Sequence, residues 1–161
     1  MNGQIENMLQ SAEGRYLTSK ETASLTQYSD GLPGRLKASA EVEQREGLIV
    51  DEVLESVLSR YSDISQRYKE GERKAQRDLS LVLRYCVLAM VKDDRLFLRD
   101  NLLLWLKTIL EGIGLSQEFV KDSYSSLLTT CEKQLSAEAF GLLEPYLKDC
   151  VEVLGERERA A

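Results

Sequence analysis

The adjacent pair Arg77-Asp78, with Arg84 further along the same apolar stretch, carries the most suggestive chemistry in this sequence. A guanidinium forks onto carboxylates, and an ionised carboxylate can only accept hydrogen bonds. Neighbours on a helix point about 100° apart rather than at each other, so the two side chains are not expected to face one another. Without a ligand they are solvated charges near a helix start, where an acid suits the macrodipole. Arg73 and Lys74 add positive charge beside them. Arg84 stands between Leu83 and Tyr85, and burying an unpaired charge is costly. It must therefore reach a partner subunit or meet an acid of its own chain. Both readings stay open on the sequence alone.

Other chemistry is scarce. The chain has no histidine, which removes Ser-His-Asp and Cys-His nucleophile pairs, most zinc sites and the usual haem ligand. Cys86, Cys131 and Cys150 fall within apolar helical patterns in no metal-like spacing, and read as reduced core thiols. The acids Asp93-Asp94 and Glu41/Glu43 have no context that would raise a pKa for general acid work. Phe97, Trp105 and Tyr124 recur at helical spacing and read as ordinary core. The expectation is a protein with no catalytic residues and no metal site, and not an enzyme.

The elements that hold these residues are helices. The chain has 161 residues, 43% apolar and 30% charged, with two prolines, Pro33 and Pro145. That length and mixture fit one globular domain over 1–161, rich in helix-forming residues. The net charge of −6, with signs interspersed, argues against nucleic acid and a polybasic membrane patch. The longest nearly apolar run, Leu79 to Val91, is too short to span a bilayer, and the first residues show no secretory pattern. A cytoplasmic protein is expected.

Along the chain, Ile5 to Ser11 reads as a short amphipathic helix. Thr18-Ser19-Lys20-Glu21 is a capping box that opens a second helix to about Tyr28, and Asp30-Gly31-Leu32-Pro33-Gly34 is a turn by composition. This gives an N-terminal hairpin over about 1–30 and a helical core over about 35–155. Within the core, Arg35 to Glu46 reads as a solvent-facing helix. Leu48, Ile49, Val53, Leu54, Val57, Leu58 and Tyr61 form a buried stripe, and Ser62 to Ser65 breaks it. A charged stretch, Arg67 to Arg77, precedes a hydrophobic helix from Asp78 to Val91, closed by Lys92-Asp93-Asp94. Leu96 to Leu110 follows, ended by Gly112 and Gly114. Ser116 and Ser136 cap the last two helices, and Pro145 is expected to kink or break the final one. Glu156 to Arg159 is a polar tail.

Two stretches are similar to a known family. Gly14-Arg15-Tyr16-Leu17 followed by Thr18-Ser19 resembles the N-terminal hairpin of phycobiliproteins. Tyr61-Ser62-Asp63-Ile64, then Ala75-Gln76-Arg77-Asp78-Leu79-Ser80-Leu81-Val82-Leu83-Arg84, resembles the pigment-binding segment of allophycocyanin-like subunits. Asp93 falls where the family's next turn carries an aspartate. The resemblance implies an all-α, globin-like phycobiliprotein fold, about six core helices preceded by a two-helix hairpin. In the family the arginine of this segment reaches a bilin propionate and the aspartate accepts from pyrrole nitrogens, so Arg77 and Asp78 would be the cofactor-binding residues. Ala75 stands where the attachment cysteine belongs, and a methyl group cannot form a thioether. Leu81 and Val82 replace two aromatics that would pack beside the tetrapyrrole. Ser11 replaces an acid that pairs with a partner's arginine, whereas Arg84 keeps the arginine side.

The resemblance then implies a non-pigmented paralogue, with no covalent cofactor, acting through protein contacts at Tyr16, Leu17 and Arg84. It would serve the assembly, structure or turnover of a light-harvesting or related photosynthetic complex. Its partners would be phycobiliprotein subunits or other photosynthetic proteins, in a homo- or heterodimer at the cytoplasmic face of the thylakoid. The second reading is a carrier or sensor holding a bilin non-covalently through Arg77 and Asp78. A third is a pigmentless regulatory domain that only self-associates.

Overall fold

The computed structural model describes residues 2–61 and 71–156, and among them every regular element is helical. In chain order these are α1 (Gly3–Ser11), α2 (Ser19–Arg60), α3 (Gly71–Lys92), α4 (Arg95–Leu98), a π-helical stretch (Arg99–Leu103), α5 (Leu104–Gly112), α6 (Gln117–Gln134) and α7 (Ala137–Gly155). Ser62 to Ser65, the first part of the charged stretch at Arg67 and most of the polar tail lie outside the described residues.

The starts of these helices follow from the predicted caps. The Thr18 side chain and the Glu21 carboxylate exchange hydrogen bonds with each other's backbone N–H, as a capping box requires. Ser116 and Ser136 accept from the Phe119 and Ala139 N–H groups at 3.2 Å each. At the end of α3, Asp93 takes φ 53°. Its N–H donates to Met90 O, and the Asp94 N–H donates to Ala89 O. That pair of bonds closes the last turn of the helix, and aspartate is one of the few residues that tolerates the left-handed conformation it needs. Asp94 at once caps α4 through the Phe97 N–H.

The core lies where α2, α3, α6 and α7 meet, around Ile49, Leu83, Met90, Leu127, Leu143 and Leu147, all with 1% exposure or less. Burying each such side chain is worth about 1.5–3 kcal/mol. The three thiols sit in this core, with Cys86 Sγ 3.3 Å from Cys150 Sγ. No helix of the described residues is long and apolar enough to cross a membrane.

Five local expectations are corrected. The turn over 30–34 does not exist: α2 runs unbroken for 42 residues through Pro33, about 63 Å at helical rise. The proline withholds a donor from the carbonyl of Ser29, which lies on an exposed turn where water can replace it. Gly31 is there for space. A Cβ at that position would fall 2.7 Å from Arg35 Nη1. The Arg35 guanidinium is tucked against the helix, donating to Tyr28 O at 2.8 Å and lying 4.8 Å from the Tyr28 ring centroid. For the same reason the segment after Pro33 is not solvent-facing, since Arg35, Ala38 and Val42 are buried.

The charged stretch before Asp78 joins the helix instead of preceding it, because Glu, Arg, Lys, Ala and Gln from Gly71 onward are mostly strong helix formers. Pro145 does not interrupt α7. Its missing N–H would have served Gly141, again on an exposed turn. Finally, Trp105 is 56% exposed rather than core. The π-helical stretch inserts one residue into the turn ahead of it. That advances the inward face from a 98, 102, 105, 109 pattern to Leu98, Leu103, Leu106 and Leu110, all buried.

Candidate functional site: a small cavity beside Ala75

A cavity of about 140 Å³ opens where the start of α3 leaves the body. Its walls come from four directions: Leu54 and Val57 on α2, Ala75 and Leu79 on α3, Leu110 at the end of α5, and Phe119 on α6. On α6, Phe119, Val120, Ser123 and Tyr124 recur at i, i+1, i+4 and i+5, which places all four on one face. Tyr61 locks that helix beside the end of α2. Its ring meets Phe119 edge-on at 5.2 Å, and its hydroxyl donates to Asp122 Oδ2 at 2.8 Å. The bond to Asp122 holds the Tyr61 proton on, raising its pKa. Arg60 Nη1 reaches the same carboxylate at 3.3 Å.

The polar groups at the cavity differ in how they are used. Asp78 lines it, and its Oδ1 accepts from Arg77 Nη2 at 3.2 Å and Nε at 3.3 Å. The expected 100° divergence is thus overridden: the long guanidinium folds back onto its neighbour's carboxylate. Arg77 is otherwise in solvent, with a side chain 74% exposed, and is not among the cavity-lining residues. Of the two residues implied by the resemblance, the structure brings only Asp78 to the cavity. Ser123 donates its hydroxyl to Phe119 O at 2.7 Å. Tyr124 lines the cavity and is 5% exposed. Burial, reinforced by Cys150, Asp78 and Cys86, pushes its pKa far up. Sequence reasoning read Tyr124 as core, which its burial bears out, but missed that it also lines a cavity. The i, i+1, i+4, i+5 pattern from Phe119 was the available signal.

No cysteine lines this space. Cys86, Cys131 and Cys150 are all within 1% of complete burial elsewhere in the core. Desolvation raises the Cys131 thiol to about 12 and drives Cys86 up as well.

The expected interface residues are spread over two places. Tyr16 is 97% exposed beside half-buried Leu17, in the link between α1 and α2. Gly14 turns that link at φ 81°. Arg84 lies on α3, where Glu46 of α2 takes it in two parallel bonds, Nε to Oε2 at 2.9 Å and Nη2 to Oε1 at 2.6 Å. It is therefore partnered within the chain while remaining largely exposed. Ser11 donates to Met8 O at 2.8 Å and carries no charge to offer a partner. A further apolar surface was not foreseen: Leu104, Trp105, Ile109 and Ile113 are each between 39% and 56% exposed. Ile113 also reaches the cavity rim.

Helices are the regular elements of the described residues, with the core where α2, α3, α6 and α7 meet and α1 paired with α2, an arrangement of the globin-like class. The phycobilisome protein family model matches residues 9–154. The chain belongs to the phycobilisome protein family, and the resemblance read from its two motifs holds over nearly its whole length. No curated protein matches it.

Proposed function

We propose that this chain is a non-pigmented, non-enzymatic member of the phycobilisome family that acts by binding other proteins of a light-harvesting or related photosynthetic complex. One observation carries the reading. The space at Ala75 is about 140 Å³, less than half the roughly 300 Å³ at the lower end of ordinary ligand pockets. A linear tetrapyrrole has four rings, and this void holds about one. Ala75 offers no sulfur, and the chain's three thiols are buried away from the void.

Contact surface supports the other half of the reading. Trp105, Ile109 and Ile113 form an exposed apolar stripe, the kind of patch that marks interaction sites. Tyr16 and Leu17 offer a second place at the hairpin link. Arg84 would join a partner only by giving up or sharing Glu46. The chain would work as a homo- or heterodimer beside the cytoplasmic face of the thylakoid membrane. The non-covalent bilin reading is less well supported, because Arg77 is not among the cavity-lining residues and its guanidinium is taken by Asp78.

The test is to isolate the tagged protein from its native host and record its visible spectrum and its companions. The expected result is a colourless protein accompanied by phycobiliprotein or other photosynthetic subunits. Trp105→Ala together with Ile109→Ala should release those companions. A bilin absorption band in the purified protein would overturn the reading, as would companions unrelated to photosynthesis.

A further inference from the structure

We propose that Cys86 and Cys150 form a paired modification site, which a peroxide converts into a disulfide that ties α7 to the middle of α3. This inference does not depend on which proteins the chain contacts.

The placement of the two sulfurs carries it. Cys86 lies on α3 and Cys150 on α7, 64 positions apart in sequence, with their Sγ atoms 3.3 Å from each other. A disulfide needs about 2.05 Å, so closing the gap takes roughly 1.3 Å of combined side-chain and helix movement. Both thiols are free, and neither is more than 1% exposed. A buried cysteine ordinarily serves as a small apolar side chain, and it can do so anywhere in a core without meeting another sulfur. Here the packing of α3 on α7 sets one sulfur against the other. Leu83 and Met90 on α3, with Leu143 and Leu147 on α7, belong to the same core. The contact is therefore held by packed helices and not by a loop.

The step balances with hydrogen peroxide as the oxidant. One sulfur attacks as its thiolate, the O–O bond breaks, one oxygen stays on sulfur as a sulfenic acid, and the other leaves as water. The second sulfur then attacks the first, the S–O bond breaks, and the departing hydroxide takes the remaining thiol proton as a second water. Two thiols lose two electrons and two protons, and the peroxide gains them. Burial sets the pace of the first attack. Desolvation drives the Cys86 thiol up, so little thiolate exists in the closed core, and the attack runs during brief separation of α7 from α3. The second attack needs no search, because its partner is already 3.3 Å away. The reduced pair is the resting state, and sustained peroxide closes it, the transient kind of disulfide that a reducing compartment allows.

The experiment exposes the full, reduced chain to hydrogen peroxide at neutral pH, alkylates it in denaturant and maps its peptides by mass spectrometry. One alkylated thiol, that of Cys131, is expected in place of three, with a single cross-linked peptide pair joining Cys86 to Cys150. Sub-denaturing urea should speed the closure severalfold, and dithiothreitol should reverse it. The bond closes a long loop of chain, so the thermal midpoint should rise by several degrees. Cys150→Ala should abolish the cross-link, and Cys86→Ala tests the same contact from the other helix if the first variant fails to fold. Cys131→Ala should leave the cross-link in place. Three free thiols after oxidation, a bond that involves Cys131, closure only in the fully unfolded chain, or a midpoint unchanged or lowered by the bond would each overturn the proposal.

Discussion

The two ends of α3 face opposite fates. At its C-terminal end nearly every polar group has a partner. Asp93 and Asp94 close the helix, Asp94 caps α4 and holds the Gly3 N–H at 2.9 Å, and Asn2 donates to Asp93 O at 2.8 Å. Arg95 clasps Asp149 on α7. At its N-terminal end the helix borders a cavity lined by Ala75, Asp78 and Tyr124. The first end is built to hold α1 and the body together. The second leaves space between four helices. One helix can thus be finished at one end and vacant at the other, because packing in its middle secures both.

That contrast can be broken or sharpened in order of effect. Leu83→Ala, in the fully buried middle of α3, should destabilise the fold by about 3 kcal/mol, read by urea denaturation, and should weaken both ends together. Alkaline pH should come next. Cys131 and Tyr146 are each raised to about 12 by burial. Both acids keep their protons longer when folded, so the stability they lend is complete below their ordinary values near 9 and 10. It is then lost as pH climbs towards 12. Denaturation midpoints should fall across that window, and an unchanged midpoint would show that these groups reach solvent.

At the tied end, Asp94→Ala removes a helix cap and the anchor of Gly3. It should cost about 1–2 kcal/mol, together with faster amide exchange in α1. Ala75→Leu at the vacant end should do the reverse, raising the thermal midpoint by a few degrees as the void fills. A fall instead would mean that the cavity cannot take the extra methylenes. The smallest effect belongs to acid. Arg15 and Thr18 hold Glu21 at about 2, so its contribution is present above the usual carboxylate range and fades as pH drops from about 4 to 2. Because the pair lies at the surface, the signature is a slight loss of hairpin helicity.

Much of this was legible in the sequence, and the rest was not for definite reasons. Caps are short-range, so Thr18, Ser116 and Ser136 announced themselves. The core positions Ile49, Val53, Leu54 and Val57 followed from periodicity, and the family motifs located the head of α3. The turn read at Asp30 to Gly34 failed because glycine and proline were taken as punctuation, whereas Gly31 makes room for a side chain four residues later. Trp105 failed because a π-helical insertion shifts the phase without leaving a sequence mark. Arg84 was undecided because its partner Glu46 lies 38 positions away. Cavity size is a sum over four helices and has no local signature.

Arg35 also bears on how the two parts of the molecule communicate. It sits on α2 at the junction of hairpin and body, with one nitrogen 3.8 Å from Asp93 and another on Tyr28 O. Through this one guanidinium the hairpin end of α2 is tied to the close of α3. Gly31 keeps that tie possible, because any side chain there would meet the arginine.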